Sequence, residues 1–456
     1  MTFENLPFPR DRVSQMETVL QPDLMRPVLW KVTRRLMPFL FLLYVVAWLD
    51  RVNVGFAALQ MNADLKFSPA VFGFGSGVFF LGYCLCEVPS NLILEKVGAR
   101  LWITRIMVTW GIISIGLMFV RTPTLFYILR FLLGAAEAGF FPGVVYYLSL
   151  WYPAGQRARA IATFMTAVPV TGLIGAPLSG ALLGLNGALG LKGWQWLFLV
   201  EGLPAVLLGL TVMFILTDRP ETAGWLTPAE RDWLSVRLAA ERRAVEAKRS
   251  MALRQALTDP TVWELGFIFL LVAAGFYGYS FWAPLVIKSL LRVSNLGVGL
   301  VLAAISAVTI GGMLLNSAHS DRTGERAAHI ALPCLLMCIG FAGSALLRQP
   351  LLAILALGLV PLGHCAAYGP FWSMPTQFLT GAAAAGGLAL VTTIANVGGF
   401  AGPWMIGVLK SRTGSYRDSF LILAGLALLA ALLAFRLRDS ADKPVMPRVT
   451  SGMRAG

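Results

Sequence analysis

The chain has 456 residues, of which 57% are hydrophobic and only 13% charged, and its mean hydropathy is +0.72. This composition has too much apolar surface and too few charges for a soluble globular protein, and it indicates a polytopic membrane protein. The formal net charge is +14, but the basic residues are scattered through short connections between apolar runs. We therefore expect no nucleic-acid partner, because orientation of membrane spans explains such a distribution.

Twelve apolar runs follow one another along the chain, and they are about 20 residues long. A run of this length crosses a bilayer as one helix, whereas the strands of a membrane barrel alternate over about 10 residues. Only helices and closed barrels satisfy their backbone hydrogen bonds in lipid. We therefore predict an all-α polytopic membrane protein with twelve transmembrane helices, near residues 36–58, 70–94, 101–120, 124–148, 159–185, 195–216, 262–290, 296–318, 328–347, 350–373, 386–410 and 416–437.

The polar stretches between the runs predict how the chain is divided. The first stretch, 1–35, is mixed in charge, shows no cleavable signal and is expected to remain in the cytoplasm. One long polar segment, 217–261, separates six spans in 36–216 from six spans in 262–437, and a short tail, 438–456, follows them. The sequence thus predicts two six-helix halves joined by a central loop.

The positions of basic residues predict the orientation of the spans. Of the 37 Lys and Arg residues, 25 lie in or next to the polar stretches on the side of the termini and the central loop, and 9 lie in or next to those on the other side. Cytoplasmic loops carry the excess of positive charge in membrane proteins. Both termini and the central loop are therefore expected in the cytoplasm.

A short motif occurs at the same point in both predicted halves. An acid, a glycine and an arginine follow the second span as Glu95, Gly98 and Arg100, and they follow the eighth span, 226 residues later, as Asp321, Gly324 and Arg326. The match indicates a duplicated half, which is a known plan among transporters. Glycine permits a tight turn at this place, and the acid and the arginine can pair across helix ends and latch one conformation.

Four charged residues inside the predicted spans are the strongest candidates for function, because a charge at the bilayer centre costs about 2.5–3.5 kcal/mol and must face protein or water. They are Asp50 and Arg51 on the first span and Arg130 and Glu137 on the fourth. Arg130 and Glu137 are seven residues apart, so they share a helix face with about 10 Å between them along the axis. Asp50 and Arg51 point about 100° apart, so they must serve different partners.

Two interpretations of these charges remain open. The first is a structural ion-pair network between the first and fourth spans. The second is a ligand cavity, and it is favoured because the corresponding stretches of the other half, "GFYGYSFWAP" and "LGHCAAYGPFW", hold aromatic residues and His364 but no carboxylate. A duplicated scaffold would more readily keep its charges in both halves. The N-terminal half is therefore expected to bind and couple ions, and the C-terminal half to supply aromatic and hydrogen-bonding contacts.

The acid, glycine and arginine signature after the second and eighth spans resembles that of the major facilitator superfamily. Within that superfamily, "DRVNVGFA", "PSNLILEKVGAR", "RFLLGAAEAGFFPGVVYYLSLWYPAGQRARA" and "GWQWLFLVEGLPAVLLG" resemble the anion:cation symporter family, which includes tartrate-, phthalate- and hexonate-type organic-anion permeases. The resemblance covers nearly the whole chain. It implies two pseudo-symmetric halves of six helices around a central substrate site.

The resemblance also implies roles for individual residues. An Asp on the first span and a Glu on the fourth, here Asp50 and Glu137, are implied to carry the coupled proton, and the adjacent Arg51 is implied to bind the substrate carboxylate. The planar guanidinium of arginine suits a carboxylate because it can donate two parallel hydrogen bonds. Further candidates for substrate binding are Arg130, Tyr83, Tyr279, Trp282 and Asn396.

Other polar residues within the spans are left outside the predicted site. His364 is interpreted as a packing residue, because a lone histidine in a helix usually has that role. Glu87, Glu201 and Glu264 lack an evident cationic partner and are interpreted as structural or interfacial. The five cysteines lie in apolar runs without metal-ligand spacing, so no metal site is expected.

These observations together predict a secondary active transporter that couples uptake of a small organic carboxylate to protons. It is expected to be a monomeric, multi-pass protein of a bacterial inner membrane, contacting only lipid, protons and its substrate, with the proton gradient in place of any cofactor. Exchange of organic anions is an alternative, since "VPVTGLIGAPLSG" resembles an antiporter motif, although Ala176 stands where that motif has glycine. A membrane sensor is a weaker alternative. An enzyme is disfavoured, because the sequence holds no Walker motif and only three histidines.

Overall fold

The computed structural model describes residues 22–247, 257–375 and 381–441, and within these ranges the regular structure is helical. Most of the predicted cytoplasmic tail and much of the predicted N-terminal segment lie outside the described residues. The twelve predicted spans are confirmed as twelve helical segments long and apolar enough to cross a membrane. They are Leu24–Asp64, Pro69–Val97, Ala99–Phe119, Pro123–Ser149, Gly155–Leu185, Gly193–Ile215, Pro260–Leu291, Asn295–Thr323, Ala327–Leu346, Pro350–Ser373, Gly386–Thr413 and Arg417–Leu437.

The first helix is longer than the apolar run that predicted it. It covers Pro22–Asp64, so it continues into the polar stretch that precedes the first span. There Lys31 forms an ion pair of 2.6 Å with Glu230, on the helix Pro228–Ala247 of the central loop. Burial of the Glu230 carboxyl raises its pKa, but the hydrogen bonds from Lys31 and Thr227 outweigh this effect. The pKa of Glu230 is therefore lower than its usual value. The central loop is thus attached to the first helix by a charged contact.

The fourth span is broken at its middle. A helix over Pro123–Glu137 ends, and a second helix over Phe140–Ser149 continues the span. Gly139 between them has φ 87°, a left-handed conformation that favours glycine. The break places Glu137 at the C-terminal end of the first of these helices, inside the protein, where it is 2% exposed.

The two halves pack together through glycines at the face opposite the ends of the described chain, Pro22 and Ala441. The second span contacts the eleventh, and the fifth contacts the eighth. At Gly73, an added Cβ would lie 2.6 Å from the carbonyl oxygen of Pro403, and at Gly180 it would lie 2.5 Å from that of Asn295. No side chain fits between backbones at this separation, so these glycines permit the halves to close at this face.

The contacts between the second and eleventh spans extend from this face to about the middle of the spans. There Cys84 Sγ lies 4.0 Å from the carbonyl oxygen of Thr393. One helical turn further, on the same face, Val88 is 54% exposed. Among the described residues, the close contacts between the halves thus lie toward one face, and the second span is more exposed toward the other, on which the described chain begins and ends.

The repeated motif forms the turns that were expected of its glycines. Gly98 has φ 96° and Gly324 has φ 70°, both in the region that favours glycine, and each ends a long helix. In the second motif the acid and the arginine pair, since Arg326 Nη1 lies 2.7 Å from Asp321 Oδ1. Arg326 also donates a hydrogen bond of 2.8 Å to Ser320 Oγ.

The first motif uses a different acid. Arg100 pairs with Asp218 at the start of the central loop rather than with Glu95: the backbone N–H of Arg100 donates to Asp218 Oδ1 at 2.8 Å, and its Nε lies 3.8 Å from Oδ2. Glu95 is exposed. The first motif therefore links the second and third spans to the central loop.

Candidate functional site

A cavity lies between the two halves, lined by spans of both. Its wall is rich in aromatic residues. The polar and aromatic lining of the N-terminal half comprises Tyr44, Trp48, Arg51, Tyr83, Glu87 and Phe141, and that of the C-terminal half comprises Phe269, Tyr277, His364, Tyr368, Trp372, Thr392 and Asn396. Concave sites with aromatic walls and a few polar groups are typical of small-molecule binding.

Arg51 and Glu137 form a buried ion pair at the wall of this cavity. Both Nε and Nη2 of Arg51 donate to the same oxygen, Oε1 of Glu137, and the Nε bond is 3.0 Å long. Their side chains are 10% and 3% exposed. This ion pair joins the first and fourth spans, as the structural interpretation of these charges predicted. Its arginine also lines the cavity.

Aromatic rings surround the guanidinium of Arg51. Its Cζ lies 5.2 Å from the ring of Trp48, 5.4 Å from that of Phe79 and 5.3 Å from that of Tyr83. Cation–π attraction to a desolvated ring is worth about 2 kcal/mol or more. These rings hold the arginine in place and leave Glu137 as the anion that neutralises it.

Asp50 points away from the cavity. Its carboxylate accepts hydrogen bonds from Trp110 Nε1 at 3.0 Å and Ser114 Oγ at 2.9 Å, both on the third span, and from Asn53 Nδ2 at 3.4 Å. The adjacent residues 50 and 51 thus serve different partners, as their helical spacing predicted. Asp50 lies behind the first span, not beside the predicted substrate site.

A second buried carboxyl lies close to Asp50. Glu201 on the sixth span accepts a hydrogen bond of 2.6 Å from Ser179 Oγ and interacts electrostatically with Asp50. It is 1% exposed. Two acids in one apolar region favour a state in which only one is charged.

Arg130 connects the second and fourth spans. It is fully buried, and its Nε and Nη2 each donate a 3.2 Å hydrogen bond to a carbonyl oxygen of the second span, those of Gly75 and Ser76. Its guanidinium lies 5.0 Å from the ring of Phe79, which Arg51 contacts as well. Arg130 does not line the cavity, so in this conformation it supports the ring that packs on Arg51.

The structure separates the remaining predicted site residues. Tyr83 and Asn396 line the cavity, on the second and eleventh spans. Tyr279 lines a different space between the first, fifth, seventh and eighth spans. Trp282 packs edge-on against Phe72 and donates a hydrogen bond of 3.1 Å to the carbonyl oxygen of Pro403. Trp282 therefore contributes to closure between the halves in this structure.

Several cavity residues were not in the predicted site. Glu87 and His364 line the cavity although both were interpreted as structural, and His364 stacks on Phe276 with 3.7 Å between ring centroids. Tyr277 and Tyr368 lie in the two stretches that the repeat offset identified in the C-terminal half. That offset was the available signal, but it did not show which residue of each stretch faces the cavity. In the described part of the chain no cluster of metal-ligating side chains was found.

Comparison with known proteins gives the family. Residues 40–403 match the model of the Major Facilitator Superfamily. The chain is 49% identical over 433 residues to a protein of Agrobacterium vitis described as "Putative tartrate transporter", covering 95% of this chain and 96% of that one. It is 43% identical to the "Putative metabolite transport protein NicT" of Pseudomonas putida, covering 89% of this chain and 93% of that one.

Solved structures agree on the fold. A crystal structure of a bacterial homologue of the human lysosomal transporter Spinster, inward-facing and unoccupied, superposes with a TM-score of 0.73 at 19% identity, covering 89% of this chain and 96% of that one. The fold of twelve helices in two halves, the family match over most of the chain and the relatives at 49% and 43% identity agree. The chain is a multi-pass membrane transporter, not an enzyme, and belongs to the Major Facilitator Superfamily.

Proposed function

We propose that this transporter couples the uptake of a small organic carboxylate to protons by alternating access of its two halves. The observation that carries the proposal is the Arg51–Glu137 pair at the wall of the central cavity. Arginine can bind a substrate carboxylate with two parallel hydrogen bonds. Tartrate, which appears in the name of the Agrobacterium vitis relative, is a carboxylate of this kind.

The geometry supplies a reason for coupling. While Glu137 is ionised, it occupies two of the donors of Arg51 and cancels its charge. A proton on Glu137 removes that charge, so the guanidinium becomes free to bind an anion. Anion and proton then favour each other's binding, which is the requirement for symport. Asp50 remains a candidate for a second proton in our proposal, acting from behind the first span.

The same proposal includes the location, orientation and oligomeric state of the protein. We place it as a monomer in a bacterial inner membrane, with residues 1–35, the loop 217–261 and the tail 438–456 in the cytoplasm, as the excess of basic residues on that side favours. In this orientation the cavity opens to the cytoplasm. The glycine contacts at Gly73 and Gly180 then close the outer face.

Glu137→Gln tests the coupling directly, because glutamine keeps the shape and mimics the protonated acid. We expect proteoliposomes with this variant to exchange tartrate across the membrane in counterflow, but not to accumulate it under an inward pH gradient. Glu264→Gln, a half-buried acid of the seventh span that does not line the cavity, is the matched control and should accumulate tartrate as the wild type does.

Each alternative predicts a different result in that assay. If the wild type exchanges organic anions without responding to a pH gradient, the protein is an exchanger. If the variant accumulates tartrate at the wild-type level, Glu137 does not carry the proton. A sensor would show no counterflow of tartrate or of any other carboxylate tested.

A further inference from the structure

Glu87 is a carboxyl of the cavity that the proposed coupling does not use. It lies on the second span, lines the cavity and is 8% exposed. Its Oε2 has no hydrogen-bond partner among the described residues. A buried acceptor without a partner costs about 1–3 kcal/mol, so such a group marks a place where a ligand donor would be stabilised.

The position of Glu87 relative to Arg51 is set by the second span. Tyr83 packs on the Arg51 guanidinium at 5.3 Å, and Glu87 follows Tyr83 by four residues, about 6 Å along the helix axis. Glu87 also interacts electrostatically with Arg51 across the cavity wall. A ligand of a few carbon atoms that places a carboxylate on Arg51 therefore reaches Glu87 with its next substituents. Asn396 and Thr392 face the same space from the eleventh span.

The chemistry of Glu87 restricts which substituent it can take. A second substrate carboxylate brings no hydrogen-bond donor to Glu87, since an ionised carboxylate only accepts hydrogen bonds. A carboxyl keeps an acceptor oxygen whether or not it is protonated, so it can accept a hydrogen bond in either state. A hydroxyl needs one such acceptor, whereas an ammonium carries three donors and needs several.

We propose that Glu87 selects hydroxylated carboxylates by accepting a hydrogen bond from a substrate hydroxyl close to the carboxylate held by Arg51. This inference rests on the proposed function, because it assumes that Arg51 anchors a carboxylate. It assigns to Glu87 the discrimination between hydroxy acids and the same acids without the hydroxyl. A site that satisfies a substrate hydroxyl penalises the analogue that lacks it, because the buried acceptor is then left without a partner.

The test uses three four-carbon dicarboxylates that differ at one position. Malate carries a hydroxyl at C2, succinate a hydrogen and aspartate an ammonium. Isothermal titration of the purified wild type should give malate an affinity roughly 10- to 100-fold above that of succinate, with aspartate no better than succinate. Glu87→Leu should remove the preference by weakening malate and leaving succinate unchanged or tighter.

Two further variants make the result specific. Glu87→Gln keeps a carbonyl oxygen that accepts a hydrogen bond, so it should retain most of the preference for malate, and it covers the case in which Glu87→Leu does not fold. Glu264→Leu removes an acid outside the cavity and should keep the wild-type ratio of affinities.

The outcomes separate this inference from the proposed function. An unchanged malate to succinate ratio in Glu87→Leu, an equal loss of both ligands, or a wild type that prefers aspartate would overturn the role of Glu87 and leave carboxylate transport standing. Equal affinities of the wild type for malate and succinate would also overturn the role of Glu87 and leave carboxylate transport standing. If the wild type binds none of the three, nor tartrate, the proposed function fails and this inference falls with it.

Discussion

At the scale of single residues, the site depends on which way neighbouring side chains point. Arg51 turns to Glu137 and the cavity, while Asp50 turns to Trp110 and Ser114 on the third span. Helical spacing predicted that residues 50 and 51 could not share a partner. It could not predict which of them faces the cavity, because both faces of the first span are covered by protein and the apolar residues around them carry no clear periodicity.

The geometry of the Arg51 site predicts that charge alone does not suffice there. Arg51→Lys keeps the positive charge but replaces a planar fork by a point ammonium, which cannot donate two parallel hydrogen bonds to a carboxylate and stacks less well between the surrounding rings. We expect tartrate affinity, measured by isothermal titration, to fall by roughly 10- to 100-fold, as for the loss of one charge-assisted hydrogen bond.

Arg105→Lys is the control for that substitution. Arg105 also stacks on an aromatic ring, with its Cζ 3.9 Å from the ring of Trp102, but it lies outside the cavity. Its replacement should leave the affinity for tartrate as it is. Wild-type affinity in Arg51→Lys would remove Arg51 from the substrate site and return the Arg51–Glu137 pair to a purely structural role.

At the scale of helices, hydropathy predicted the number and order of the spans, but not their breaks. A long apolar run identifies a span because only a helix satisfies its backbone in lipid. The break at Gly139 lies within such a run: this glycine has a left-handed φ, and Pro142 three residues on has no backbone N–H to donate. An added Cβ at Gly139 would also overlap Ser90 of the second span. Features that depend on a neighbouring element cannot be read from the hydropathy of one segment.

The second and fourth helices approach so closely that one methyl group should separate them. At Gly134, between Arg130 and Glu137 on the fourth span, an added Cβ would overlap the carbonyl oxygen of Phe79. A backbone oxygen cannot move aside without shifting its helix. We expect Gly134→Ala to lower the unfolding temperature in detergent, corresponding to a loss of about 1–3 kcal/mol from overpacking, and to weaken tartrate binding by displacing Phe79 from Arg51.

Gly311→Ala provides the matched comparison. Gly311 lies in the eighth span with no heavy atom of another element within 4 Å of the position of an added Cβ. Alanine is a better helix former than glycine by about 1 kcal/mol, so this variant should be as stable as the wild type or slightly more stable. Equal unfolding temperatures for the two variants would show that the contact at Gly134 is looser than the structure indicates.

At the scale of the whole molecule, the two halves are closed at one face and separated at the other. The repeated motif predicted two related halves, and the structure shows how glycines bring their helices together at the face opposite the ends of the described chain. Of the charged residues in the N-terminal half, Arg51 and Glu87 line the cavity, whereas Asp50 and Arg130 do not. The sequence could not indicate which face is closed, because a transporter must form both arrangements from the same residues and the two differ by a few kcal/mol.

A bulky residue in the closed face should hold it open. At Gly73 the backbone of the eleventh span leaves no room for a side chain, since an added Cβ would already lie 2.6 Å from the carbonyl oxygen of Pro403. Gly73→Trp therefore adds an indole that the closed arrangement cannot contain, but it changes no residue of the cavity wall. We expect tartrate binding in detergent to persist within a few-fold of the wild type, while counterflow and gradient-driven uptake in proteoliposomes fall to background.

Distances between spin labels on the two halves give the direct measurement. Labels at the ends of the second and eleventh spans, on the face opposite the ends of the described chain, should move apart in Gly73→Trp and remain close in Gly425→Trp, since Gly425 on the twelfth span has open space around an added Cβ. Gly425→Trp should also transport at the wild-type rate. Alternating access requires the glycine contact at Gly73 to form and separate once in every turnover. If Gly73→Trp transports normally, closure of this face is therefore not a step of the cycle.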